Sequence, residues 1–249
     1  MPGDGCSTSC ECESNPCSVT ASPQVNLASV VAGLLPGDTL TLASGTYKGS
    51  GVCGWTLPFG AGADYSPITV RGAGNGALPI VDCDNAGPVF LHALAGVHLR
   101  LERIHFTHAY RSGGGGGVLS AELGSIIVVT SCRVTAVSTD RQGGAILVRD
   151  SNSTLLIHDS HFEENTAEDA GGSLAILDGV QTTLTDSVFT RCSASSNGGA
   201  IYITRSCTVV MEHMLFSLNS GSSGAAIMVK DNCTVLRILK SQYSSVFTV

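Results

Sequence analysis

The sequence predicts an all-β solenoid, a single-stranded parallel β-helix with about 27–28 residues per coil, and three observations lead there. The first is a ruler: Phe106, Val134, Phe162, Phe189, Phe216 and Tyr243 follow one another at intervals of 28, 28, 27, 27 and 27 residues. Keeping step with it, Gly116-Gly117, Gly143-Gly144, Gly171-Gly172, Gly198-Gly199 and Ala225-Ala226 recur as small pairs. Fixed periods of this size belong to stacked repeats. The third is composition: charged residues are only 13%, aromatics 5%, and there are 30 glycines, which leaves little material for helices laced with charge.

Taken along the chain, residues 1–24 form a Cys-rich segment and 25–249 the β-helix, with regular repeats from about 104. Val25 to Leu35 carries apolar residues at helical spacing and stops at Pro36-Gly37, so a short amphipathic helix is expected to cover the open N-terminal end. Within a period such as "GGAIYITRSCTVVMEHMLFSLNSGSS", the apolar runs are strand-sized and separated by Gly, Ser and Asn, which predicts three short strands per coil. Parallel coils stack about 4.8 Å apart, so equivalent positions become vertical neighbours and want like residues. The ruler residues then form an inward apolar seam and the glycine pairs a corner. Three positions after the ruler, Asn165 and Asn219 should bond turn backbone above and below, whereas Cys132 and Cys192 read as core. "SQYSSVFTV" carries no polar cap after Tyr243, so the solenoid is expected to be truncated there.

Ten cysteines, four of them at Cys6, Cys10, Cys12 and Cys17, suit disulfides in an oxidising compartment. Cys207 and Cys233 occupy matching places one coil apart and are candidates for a bridge, as are Cys53 and Cys83. The sequons at Asn152 and Asn232 point the same way, toward an extracellular or cell-surface glycoprotein. "MPGDGCSTSC" lacks the features of a leader, so the true start is expected to be missing, and no apolar run reaches membrane-spanning length. A formal charge of -7 and only three lysines argue against nucleic acid as a partner.

"LLPGDTLTLASGTYKG", "SPITVRGAG" and "VHLRLERIHFTHA" resemble the opening of right-handed parallel β-helix proteins of the pectin-lyase-like superfamily, especially polysaccharide lyases of the chondroitinase B and alginate lyase type. From about 104, "FEEN", "FSLN", "GGAI" and "GAAI" resemble the repeats of chlamydial polymorphic outer membrane proteins and related protist surface proteins. Both likenesses imply a right-handed β-helix. The first implies an enzyme, the second an adhesin.

Uronate lyases must neutralise a carboxylate, abstract the adjacent proton with a base and assist the leaving oxygen. The best cluster for this precedes the glycine pairs: Arg141 as base, with Asp140, Glu168 and Asp169 binding substrate or holding a Ca2+ ion. Stacking is expected to set Asp140 near Glu168 and Arg141 near Asp169. A column three positions before the ruler, Arg103, Ser131, Asp159, Asp186 and His213, reads as a bend whose Asp side chains bond backbone. His105 and His161 should face outward on either side of Arg133. The sequons share a ridge with Gly179 and Ser206, and the ridge of Asp140 to Asp169 lies opposite it. The reading is a secreted or surface repeat protein that binds or displays, with polysaccharide or surface glycan as partner; the alternative is a polysaccharide lyase acting on acidic polysaccharide.

Overall fold

The computed structural model describes residues 16–57, 66–74, 76–239 and 242–243. Among them the chain winds through four parallel sheets of nine, eight, five and six strands, here sheets 1, 2, 3 and 4 in the order a coil visits them. One coil shows the plan: Ile126–Thr130 in sheet 1, Arg133–Thr135 in sheet 2, Ser138–Thr139 in sheet 3 and Ile146–Val148 in sheet 4. The coils from His98 to Val229 therefore have four strands each, not the three expected. The extra corner comes from the run between ruler and glycine pair, which turns once more at positive-φ residues such as Glu164 and Arg191.

The ruler is a ladder. Phe106, Val134, Phe162, Phe189, Phe216 and Tyr243 are direct register partners down sheet 2. It also continues upstream through Val81 to Tyr47, where the period does not reveal it because one coil is longer than the regular ones and the next shorter. Phe162, Phe189 and Phe216 are buried, their rings stacked at 4.7 and 5.4 Å. Asn165 Nδ2 donates to Val134 O (3.0 Å) and its Oδ1 accepts from Val137 N (3.0 Å); Asn219 does the same between Phe189 O and Cys192 N (both 2.9 Å). Cys132 and Cys192 are buried, and burial pushes their thiols up to about 12 and about 11.

At the glycine corner the first residue of each pair has positive φ and the second lies against the next coil: a Cβ on Gly172 would stand 2.2 Å from Gly199 O. In the last coil the pair is Gly224-Ala225, because Ile201 pairs with Ile227; the sequence reading set it one residue late.

The N-terminal end explains "LLPGD" and "GTY". Asp38 is buried, and its carboxylate accepts from Cys17 N and Leu35 N (both 2.8 Å), tying the first strand to the turn. Tyr47, also buried, donates its hydroxyl to Ala21 O (2.7 Å) and Ala43 O (3.0 Å). The helix is Leu27–Ala32, shorter than expected; Asn26 caps it, accepting from Ser29 N, and it buries Leu27 and Val31. Strand Ser18–Ala21 pairs with Thr39–Leu42, so sheet 1 begins within the segment set apart as Cys-rich.

Candidate functional site

Sheet 4 floors a surface groove. Alternation sends Ile146, Val148, Leu174 and Ile176 into the core and two rows outward. One row is Ser120, Leu147, Ala175, Tyr202 and Met228, in direct register. Beside it run Glu122, Arg149, Leu177 and Thr204. The strip is only a few residues wide, and the glycine corner borders it. The glycine corner supplies Arg141, Gln142 and Asp169; the loop at 113–115 overhangs from the preceding coil. Together they enclose a groove of about 410 Å³ lined by Arg111, Arg141, Arg149, Ser120, Leu147 and these neighbours.

Three guanidiniums meet there in an otherwise acidic protein. Arg111 is pinned, donating to Gly116 O (2.9 Å), Leu91 O (3.3 Å) and Phe90 O, and burial depresses its pKa below the ordinary arginine value. Arg149 pairs with Glu122 at 2.6 Å. Arg141 is exposed, and its side chain has no hydrogen-bond or ion-pair partner among the described residues. The groove also holds Asp169, so its walls carry both signs of charge, and Arg141 is its one cation with no side-chain partner among the described residues.

The acids expected around Arg141 do not converge. Backbone stacking is as anticipated, with Glu168 N donating to Thr139 O and Asp169 N to Arg141 O. The Asp140 carboxylate, however, turns back to accept from Gly113 N (2.8 and 2.9 Å) and Ser112 Oγ (3.3 Å), while Asp169 accepts from Gln142 Nε2 (2.9 Å). Glu168 is exposed. Asp169 pairs with Gln142 and not with Arg141, because the glutamine reaches it first along the corner. Among the described residues no three acidic, His or Cys side chains gather to hold a metal, so the residues present do not fit a Ca2+ ion.

Sheet 2 carries a second polar field. Its outward row places His105, Arg133 and His161 in register, as read from the sequence. His105 Nε2 lies 2.8 Å from Thr135 Oγ1; burial, with Arg133 beside it, pushes its pKa down to about 4. Glu163 accepts from Arg133 (2.6 Å) and Arg191, and Arg133 holds its carboxyl below the ordinary value. Asp82 joins Lys48 and His108, both at 3.1 Å. Here the arginines and lysine are already neutralised. The bend column is left-handed throughout, from Arg103 (φ 56) to His213 (φ 54), but its acids bond side chains and not backbone: Asp159 accepts from Ser131 Oγ (2.8 Å) and Asp186 meets His213 Nδ1 (3.2 Å).

Both sequon asparagines, Asn152 and Asn232, are exposed at the corner between sheets 4 and 1. Cys53 and Cys83 are bridged, with Cα atoms 5.6 Å apart, and Cys17 is disulfide-bonded. Cys6, Cys10 and Cys12 lie outside the described residues. Cys207 and Cys233 are free thiols: Cys233 Sγ accepts from Cys207 N (3.2 Å) while the Cys207 thiol turns inward to Thr204 O (3.1 Å) and Ile176 O (3.4 Å). The expectation of a bridge there is corrected.

Arg141 was legible in the sequence; Ser120 and Arg149, on and next to strands of sheet 4, and Arg111, on the strand of sheet 3 before it, were not, since the period does not say which outward positions share a groove. No described helix is long and apolar enough to cross a membrane. A family model described as a right handed beta helix region matches residues 96–243. No curated protein and no solved structure matches the chain.

Proposed function

The chain belongs to the right-handed β-helix family, and from that footing we propose that it is an extracellular or cell-surface binding protein that grips acidic polysaccharide in the sheet 4 groove. The observation that carries this reading is Arg141, an exposed guanidinium without a partner among the described residues, beside Arg111 and Arg149 in one groove. A guanidinium fork suits carboxylate and sulfate in two-point geometry. The bridged Cys53–Cys83 pair and the exposed sequons favour an oxidising, glycosylating compartment. Binding is favoured over cleavage because Asp140 and Asp169 are engaged elsewhere and leave Arg141 without the cation a lyase site would need.

Titration calorimetry with polygalacturonate, and with its methyl ester as neutral control, tests this. Binding of the acid form, weakened about tenfold in Arg141→Ala, is expected. Equal affinity for both forms, or no effect of the substitution, would sink the reading. Ultraviolet absorbance of unsaturated uronate in the same mixtures, lost with Arg141→Ala, would replace it with the lyase.

A further inference from the structure

The groove carries its own competitor for Arg141. Asp169 N donates to Arg141 O (3.2 Å), so the two residues are neighbours in successive coils, about 4.8 Å apart at the spacing of parallel strands, and both line the groove. A carboxylate that close is a ready partner for a guanidinium, and pairing would neutralise the one arginine there that no other group holds. It does not happen. The Asp169 carboxylate accepts instead from Gln142 Nε2 (2.9 Å), its one side-chain partner among the described residues.

The other groups around Arg141 do not change this balance. Asp140 is held by Gly113 N and Ser112 Oγ, and Glu168 does not line the groove. Arg149 is paired with Glu122 and Arg111 is bonded to carbonyl oxygens, so neither takes the place of Arg141 as a free cation. Whether the groove offers one turns on a single neutral amide. Gln142 and Asp169 are both half-buried, which shelters their hydrogen bond from water, whereas Arg141 is exposed and an ion pair to it would be largely screened. That difference decides which partner Asp169 keeps.

We propose that Gln142 is the positioning residue of the groove: by holding Asp169 it keeps Arg141 open to an anion, and without it Asp169 turns to Arg141 and closes the site from within. The consequence for binding rests on the reading above, while the clamp itself is a property of the free chain.

Phenylglyoxal, which attacks unpaired guanidinium groups, tests the clamp with no ligand present. The rate at Arg141 is followed by peptide mass spectrometry, with Arg205, paired with Asp178, as internal reference. In Gln142→Ala, labelling of Arg141 is expected to slow about two- to fivefold, the range an exposed ion pair gives, and polygalacturonate affinity to fall by a similar factor in titration calorimetry. Adding Asp169→Asn is expected to restore both, because an amide does not neutralise the guanidinium; a loss caused by a collapsed corner would stay. Should Gln142→Ala melt early, Gln142→Met, close to glutamine in size and without a donor, carries the same expectations. Unchanged labelling in both Gln142 variants, or slowed labelling that Asp169→Asn leaves slow, would overturn the clamp. Labelling that slows and recovers while the wild-type chain takes up no polygalacturonate keeps the clamp and removes the binding reading.

Discussion

Asn165 shows how a single side chain serves two coils. It is fully buried, and its amide satisfies Val134 O on one side and Val137 N on the other. Removing it leaves a buried donor and acceptor without partners, so Asn165→Ala is expected to destabilise the chain by about 2–3 kcal/mol, measured by urea denaturation. Asn165→Asp should cost a comparable amount, since a carboxylate supplies no donor for Val134 O. Position and role were both legible, because the period put Asn165 and Asn219 in one column and amide chemistry did the rest. Cys192, in the same column, and Cys132, two positions before the ruler, were legible as core for the same reason. Arg141 was legible as a candidate, but its lack of a partner was not: the sequence offered Asp169, and Gln142 takes that carboxylate.

At the scale of the corner, the second glycine of each pair is required by space and not by φ. Gly172 and Gly144 would each push a Cβ into the carbonyl of the next coil, at 2.2 and 2.0 Å. Backbone on both sides cannot give way cheaply. Gly172→Ala is therefore expected to cost about 3 kcal/mol or more, while Gly87→Ala, which meets nothing within 4 Å, should stay within about 0.5 kcal/mol; thermal melts of the two variants make the comparison. The repeat made the glycine pairs visible, yet it hid the fourth strand, because Thr166–Ala167 is only two residues long and its equivalents Ser193–Asn197 and Ser220–Ser223 are polar, so none stands out as an apolar run. It also suggested a Cys207–Cys233 bridge from height alone. Stacking fixes the separation of two backbones, but the direction of each thiol depends on the local rotamer.

Across the whole molecule, a solenoid's stability is close to a sum of coils and their interfaces, so an irregular end is its weak point. Here that end is closed by the Cys53–Cys83 bridge, which spans 30 residues of sequence beside the aromatic group of Trp55, Phe90 and Phe106. Replacing both cysteines with serine is expected to remove about 3–4 kcal/mol from that end, and hydrogen exchange should show faster opening before residue 110 than in the regular coils. The sequence by itself determined the coil period, the inward seam, the paired-glycine corner and the Asn column, since each follows from like residues stacking at a fixed spacing along one axis. Only the tertiary structure decided how wide each sheet is and therefore what faces what around the axis. Strands of three or four residues, such as Ile146–Val148, left sheet 4 a narrow floor, and the winding brought Arg111, Arg141 and Arg149 from separate places in the chain into one groove.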